Sequence, residues 1–167
     1  GEIASEYNDI AKIFNQHNIN YIISDFRGYG FSNGLPNINN TLLDAHIVLD
    51  YVLEYLQKYN YFAPLILMGR SLGCASVLEL SKRYPNDFCK LIIESGFFNE
   101  TPLFRLLGTS AEQSGFKAAN GFLNGEKIKK YLGDLLIIHA SQDNIVPFEQ
   151  AQKLFDSCPS INKKIIE

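Results

Sequence analysis

The sequence predicts an α/β fold in which a mostly parallel sheet carries helices on both faces. Two observations lead to this prediction. Apolar runs typical of strands alternate along the chain with segments whose apolar residues recur at helical spacing. Most of the strand-like runs are continuously apolar, as expected of strands that are covered on both sides. Strands that alternate with helices form parallel sheets, because each crossover between parallel strands has room for a helix.

Five short apolar runs are predicted to be the strands. They cover residues 20–25 (NYIISD), 64–69 (PLILMG), 89–94 (CKLIIE), 134–140 (DLLIIHA) and 162–167 (NKKIIE). Four helices are predicted around them. They begin near Ile3, near Thr41, at Ser71 and near Pro147. Pro147 suits a first helical turn, because its fixed φ matches a helix and the amide that it lacks would be unpaired there.

Composition favours one globular domain over residues 1–167 and argues against nucleic acid and membranes as partners. The chain is 46% hydrophobic and 20% charged, with a net charge of −3. It therefore offers no basic surface for nucleic acid, and it has no run of about 18 apolar residues that could span a membrane. Cys74, Cys89 and Cys158 lack the spacing of a metal or redox site and are predicted to be buried, reduced thiols. We expect no metal and a cytoplasmic location.

Residues 96–133 are predicted to form a lid or cap inserted into this fold. The segment is longer than a simple crossover needs, and it contains several glycines and five phenylalanines. These are Phe97, Phe98, Phe104, Phe116 and Phe122. They could line an apolar pocket for an acyl group, or they could complete the core under a long crossover. Both alternatives remain open from the sequence.

The motif GRSLG at residues 69–73 indicates nucleophilic chemistry, because it lies between a strand-like run and a helical run. A sharp strand-to-helix turn lifts a serine oxygen clear of the sheet edge, so Ser71 is predicted to be a nucleophile. The glycines at both ends of the motif would let strand and helix approach closely. The Leu72 amide, at the start of the helix, is predicted to donate to a developing oxyanion. The alternative is that Ser71 only caps the helix.

Four motifs together resemble the α/β-hydrolase superfamily over nearly the whole chain. DFRGYGFSNG (25–34) resembles the D-x-R-G-x-G-x-S loop after strand four of many members. Asp25 and Arg27 of this loop are interpreted as structural. GRSLG resembles the nucleophile elbow after strand five. IESGF (93–97) is similar to the end of strand six, and LIIHASQDNIVP (136–147) to the strand-seven segment that delivers the triad acid. The chain most resembles small serine hydrolases of the esterase, lysophospholipase and acyl-protein thioesterase type.

Asp143 is the predicted triad acid. It lies just past the apolar run LLIIHA and before the helix at Pro147, so it should share the carboxyl edge of the sheet with Ser71. A carboxylate there can hold a histidine in the correct tautomer and stabilise its cation. Two alternatives stay open. Asp143 could form only an Asx turn, or Glu94 could be the acid, because some relatives place it after the preceding strand.

None of the three histidines is predicted to be the catalytic base. His17 and His46 precede the serine and His139 precedes the acid, whereas the superfamily runs serine, acid, histidine. His139 matches a common strand end of the superfamily and is interpreted as structural. The resemblance places the catalytic histidine beyond the last strand and an oxyanion-hole loop before the first. It therefore implies that residues 1–167 are the interior of a larger domain, lacking the first strands and the last loop.

The resemblance implies a serine hydrolase that cleaves a small carboxylic ester or thioester through an acyl-enzyme on Ser71, without a metal or organic cofactor. Arg70, Phe97 and Ile145 are predicted to contact the substrate. Two other functions stay open. One is a serine aminopeptidase or prolyl-peptidase-like enzyme, and the other is a non-catalytic module that binds a ligand or protein in the same cleft. The sequence leaves the oligomeric state undetermined.

Overall fold

The computed structural model describes residues 2–84 and 88–167. They form two compact units, the first ending at Glu54 and the second running from Tyr55 to Glu167. The prediction of one domain over residues 1–167 stays a prediction. Across the two described ranges, every helix is too short or too polar to cross a lipid bilayer.

The first unit is helical. A 3₁₀-helix at Ala4–Tyr7 leads into helix α1 (Asn8–Gln16), and helix α2 (Ile38–Lys58) begins in this unit and continues into the second. The loop between α1 and α2 is held by a bidentate ion pair, in which Arg27 Nε and Nη2 donate to the Asp44 carboxylate at 2.8 and 2.6 Å. This hydrogen bonding raises the pKa of Arg27 and lowers the pKa of Asp44. Arg27 therefore has the structural role that the sequence predicts.

The strand predicted at residues 20–25 is wrong. These residues have no regular secondary structure, although Tyr21 stacks on Phe14 of α1 with ring centroids 4.9 Å apart. A strand needs a neighbouring strand to pair its backbone amides and carbonyls. No described residue of the first unit belongs to a strand, so the apolar run has no ladder partner there.

The second unit contains a four-stranded parallel sheet. Its strands lie side by side in chain order as β1 (Ile66–Arg70), β2 (Lys90–Glu94), β3 (Asp134–Ile138) and β4 (Lys163–Ile166). They coincide with the other four predicted strands, so the α/β fold with a parallel sheet is confirmed. Because all four strands run in one direction, their carboxyl ends form one edge of the sheet.

Four helices connect these strands. They are α3 (Gly73–Arg83), α4 (Thr101–Leu106), α5 (Asn124–Ile128) and α6 (Phe148–Ser157). Helix α3 contacts β1 and β2, helix α6 contacts β3 and β4, and α5 contacts both α3 and α6. These three helices therefore lie side by side on one face of the sheet. Right-handed crossovers between successive neighbouring strands place the helices in this way.

The core of the second unit lies between this helix layer and the sheet. Leu91, Ile93, Leu135 and Ile137 are buried, whereas the residues between them in β2 and β3 are half-buried. Burial thus alternates along the strands, although their sequences are continuously apolar. Side chains on successive strand residues point to opposite faces, and only one face carries α3, α5 and α6.

The predicted insertion contributes part of this core. The Phe97 and Phe122 side chains are buried and pack edge to face with centroids 5.8 Å apart. Phe104 and Phe116 form a second edge-to-face pair at 4.9 Å. Helix α5, which follows Phe122, belongs to the packed helix layer. The core alternative therefore accounts for Phe97 and Phe122, and the lid over residues 96–133 stays a prediction.

A buried ion pair joins two helices of this layer. Lys127 Nζ of α5 lies 2.7 Å from Glu79 Oε2 of α3, and the Lys127 side chain is only 5% exposed. Burial lowers the pKa of Lys127, because a charged ammonium loses hydration in the core, and the nearby Glu79 carboxylate acts in the opposite direction.

Two of the three cysteines are buried as predicted. Cys74 and Cys158 are buried, and burial raises the pKa of the Cys74 thiol to about 12. The prediction that Cys89 is buried is wrong, because its residue is exposed. Cys89 lies just before β2, where its thiol donates to the Leu65 carbonyl at 3.1 Å. Because Cys89 lies at the amino edge of the sheet, the helix layer does not cover its side chain.

Candidate active site

Three polar residues form a row along the carboxyl edge of the sheet. Ser71, Ser95 and His139 directly follow β1, β2 and β3. The Ser71 amide donates to the Glu94 carbonyl, and the Ser95 amide donates to the Ile138 carbonyl, both at 2.9 Å. Adjacent strands lie about 4.8 Å apart, so the parallel register brings the three residues into neighbouring positions.

Ser71 occupies a sharp turn between β1 and α3. Its φ of 49° lies in the left-handed region, which costs a non-glycine residue on the order of 1 kcal/mol. Helix α3 begins at Gly73 with Leu72 as its N-cap, and no side chain caps it. The alternative in which Ser71 only caps the helix is therefore wrong, and the predicted strand-to-helix turn is present.

The two glycines of the motif have different roles. A Cβ on Gly69 would lie 2.5 Å from the Gly73 carbonyl oxygen and 2.6 Å from a methyl group of Val77, so the close approach of β1 and α3 requires glycine here. A Cβ on Gly73 would meet no atom within 4 Å. The expectation that Gly73 also permits this approach is wrong, because its Cα faces open space.

The Leu72 amide is placed as a hydrogen-bond donor beside Ser71. The first amides of a helix have no partner within the helix, and α3 begins one residue later. Among the described residues, the Leu72 amide has no acceptor. The positive end of the helix dipole adds to the attraction of this site for an anion.

Asp143 lies in the loop between β3 and α6, above the same edge. Its Oδ1 accepts the amides of Ile145 and Val146 at 2.9 and 2.8 Å, so the Asx turn that was left open as an alternative is present. Burial raises the pKa of Asp143, but the hydrogen bonds from Val146, Ile145 and the Ser95 side chain outweigh burial and hold the pKa below its ordinary value. The carboxylate is therefore ionised at neutral pH, and both amides converge on one oxygen.

His139 holds the Asp143 loop to the sheet. Its side chain is 0% exposed, and Nε2 lies 2.7 Å from the Val146 carbonyl oxygen and 3.7 Å from Asp143 Oδ2. A carbonyl only accepts hydrogen bonds, so Nε2 carries the proton in this contact. His139 Nδ1 is buried without a hydrogen-bond partner in the described part of the chain. This arrangement agrees with a structural role, because the imidazole points into the protein.

The other predicted site residues surround this edge. Arg70 Nε is 3.6 Å from Glu94 Oε1, and the two side chains are 41% and 30% exposed. Glu94 thus faces a cation, which favours a bracing role over that of triad acid. Ile145 is 58% exposed, whereas the Phe97 side chain is fully buried. Substrate contact by Arg70 and Ile145 stays a prediction, and the burial of Phe97 favours its core role.

Ser95 was missed by the sequence analysis. Its φ is 47°, nearly the value at Ser71, and its side chain contributes to the lowered pKa of Asp143. The sequence feature that could have indicated Ser95 was its place in IESGF, where it follows the end of β2 as Ser71 follows β1.

In residues 2–84 and 88–167, no group of three or more His, Cys, Asp or Glu side chains is arranged to hold a metal ion.

Comparisons with known proteins agree on one fold. The sequence model of the family described as "Serine aminopeptidase, S33" matches residues 1–132. The chain is similar to the crystal structure of Paleococcus ferrophilus monoacylglycerol lipase, with a TM-score of 0.76 and 17% identity, covering 100% of this chain and 80% of that chain. At this identity the similarity shows the fold alone.

Two curated relatives are longer than this chain. Uncharacterized protein R595 of Acanthamoeba polyphaga mimivirus is 30% identical over 93% of this chain and 57% of its own length. Alpha/beta hydrolase domain-containing protein 17C of Mus musculus is 25% identical over 95% of this chain and 46% of its own length. The chain therefore spans about half the length of the curated relatives that it matches.

Proposed function

Because the chain belongs to the serine aminopeptidase S33 family and has the α/β-hydrolase fold, we propose that it carries the nucleophile and the acid of a serine hydrolase acting on carboxylic esters or thioesters. The observation that carries this proposal is the turn at Ser71. A left-handed serine directly after a strand, beside an unpaired amide at a helix N-terminus, presents a nucleophile and an oxyanion donor to the same carbonyl group.

The proposed reaction begins when Ser71 Oγ attacks the substrate carbonyl carbon. The serine proton passes to a histidine, which we place outside residues 1–167, and the carbonyl electron pair moves to the oxygen. The Leu72 amide donates to this oxyanion. Collapse of the tetrahedral intermediate breaks the bond to the alcohol or thiol, which takes the proton from the histidine. Water then attacks the acyl-enzyme by the same steps and releases the acid.

Asp143 orients and stabilises the catalytic histidine in this proposal. Its Oδ1 is occupied by two backbone amides, so Oδ2 is the oxygen that faces an incoming imidazole. The low pKa of Asp143 keeps a negative charge available to the imidazolium that forms during the attack. Glu94 is less suited to this role, since it lies near Arg70.

The exposed apolar side chain of Ile145 favours an acyl group as the bound part of the substrate. Ile145 is exposed two residues after Asp143, and Arg70 precedes Ser71 with a partly exposed guanidinium group. We propose that both side chains contact substrate, Ile145 through its apolar surface and Arg70 through polar groups.

A serine aminopeptidase is the second candidate, because the matching family is described in those words. Steady-state kinetics separate the two on the protein expressed at the full length that its gene encodes. p-Nitrophenyl esters and acyl thioesters are compared with aminoacyl anilides, using Ser71→Ala and, as a matched control, the exposed Ser141→Ala. We expect ester or thioester turnover that Ser71→Ala abolishes and Ser141→Ala retains. Turnover of the anilides alone would replace the esterase proposal with the peptidase.

A further inference from the structure

His139 is fixed at the carboxyl end of β3 by contacts with two further elements. Its backbone amide donates to the Ile166 carbonyl of β4 at 2.9 Å. Its ring packs edge to face on Phe148, the first residue of α6, with centroids 5.9 Å apart. The side chain is 0% exposed, so packed atoms surround the ring and hinder its rotation. The position of the ring nitrogens is therefore set by the sheet and by α6.

Two oxygen atoms of the Asp143 loop lie near one of these nitrogens. His139 Nε2 is 2.7 Å from the Val146 carbonyl oxygen, and Nε2 carries the proton, because a carbonyl only accepts hydrogen bonds. Asp143 Oδ2 lies 3.7 Å from the same nitrogen. This separation is too long for a hydrogen bond, but the positive end of the N–H dipole attracts the carboxylate across it. One N–H group thus acts on both the end of the loop and the acid.

Val146 connects the His139 ring to the Asp143 carboxylate. Its carbonyl accepts the hydrogen bond from His139, and its amide donates to Asp143 Oδ1 at 2.8 Å. The Val146 side chain is buried, which holds the residue between the two groups. Two consecutive hydrogen bonds therefore lead from a rigid strand end to the carboxylate. We propose that His139 is a positioning residue, which keeps Oδ1 bound within the loop and Oδ2 directed toward the catalytic histidine.

This inference rests on the proposed function for its catalytic consequence, and two substitutions of similar size test it in the full-length protein. Glutamine offers an amide N–H near the position of Nε2, whereas methionine has no donor. His139→Met should lower kcat about tenfold with KM changed less than about twofold, because the acid loses its orientation and no substrate contact is removed. His139→Gln should keep kcat within about threefold of the wild type, because the donor is retained. Equal losses in both variants, or an unchanged kcat in His139→Met, would overturn the inference.

A double-mutant cycle with Asp143→Ala shows whether His139 acts through the acid. If it does, His139→Met should cause no further loss of single-turnover rate once Asp143 is alanine. General damage to the fold would lower the rate in both backgrounds, so an equal loss in both would overturn the inference. Ser141→Ala, on the same loop as Asp143 but exposed, is the control that should leave the rate unchanged.

The hydrogen bond itself is measured without reference to activity by nitrogen-15 NMR of the histidine rings in the full-length protein. The His139 signal, identified by its absence in His139→Gln, should show the proton on Nε2. A ring protonated on Nδ1 alone could not donate to Val146, and this result would refute the contact and the inference with it. The measurement needs no folded His139→Met. Turnover that survives Ser71→Ala would instead contradict the proposed function, and the ring spectrum would still decide the contact.

Discussion

The two glycines of GRSLG provide a matched pair of substitutions with opposite expectations. A Cβ on Gly69 would lie 2.5 Å from the Gly73 carbonyl oxygen and 2.7 Å from its carbonyl carbon. These separations are about 1 Å shorter than an ordinary carbon contact of about 3.5 Å. Both atoms belong to the backbone at the start of α3, so relief requires the helix to move away from β1. Gly69→Ala should therefore destabilise the protein by about 1–3 kcal/mol, the range of overpacked cores.

Gly73→Ala introduces the same methyl group four residues later into open space. It should leave stability unchanged or raise it by up to about 1 kcal/mol, because alanine restricts the unfolded chain and favours a helix. Urea unfolding of the two full-length variants measures the difference. Equal midpoints for Gly69→Ala and the wild type, or a comparable loss in Gly73→Ala, would refute the steric reasoning.

Three further predictions follow from buried and charged groups. The pKa of Asp143 is lowered in the fold, so its ionised form stabilises the protein at pH values above its unfolded pKa of about 3.9. This stability is lost as the pH falls through the folded pKa. Urea midpoints measured from pH 6 to 2 should therefore fall more for the wild type than for Asp143→Asn. Lys127→Met should lower the unfolding free energy by about 2 kcal/mol, since the buried contact between Lys127 and Glu79 is lost, and an unchanged urea midpoint would contradict a net contribution from this contact. Cys74, whose pKa is raised to about 12, should resist iodoacetamide in the native protein and react after denaturation, as measured by peptide mass spectrometry; rapid native labelling would contradict its burial.

Local patterns in the sequence were sufficient to predict the sheet and to place Ser71 and Asp143 at its carboxyl edge. Four apolar runs became the four strands, because a buried parallel strand is recognisable from its own residues. Ser71 directly follows β1 and Asp143 lies in the loop after β3, and parallel strands bring their carboxyl ends to one edge. The run at residues 20–25 has the same composition, but a strand depends on a partner that its own residues do not encode.

Contacts between distant loops were not predictable in this way. The bond from His139 to the Val146 carbonyl depends on the path of the loop after β3. It produces neither periodicity nor a spacing rule. The unequal roles of Gly69 and Gly73 are likewise invisible in the symmetric motif, because they depend on which glycine faces the opposing backbone.

The most direct test of the central claim is covalent labelling of Ser71. A fluorophosphonate probe is reacted with the full-length protein, with Ser71→Ala and with the exposed-serine control Ser141→Ala, and the labelled peptide is identified by mass spectrometry. We predict that the probe modifies Ser71 in the wild type and in the control, and that labelling is lost in Ser71→Ala. A folded full-length protein that is not labelled, or is labelled at another serine, would contradict the assignment of Ser71 as an activated nucleophile.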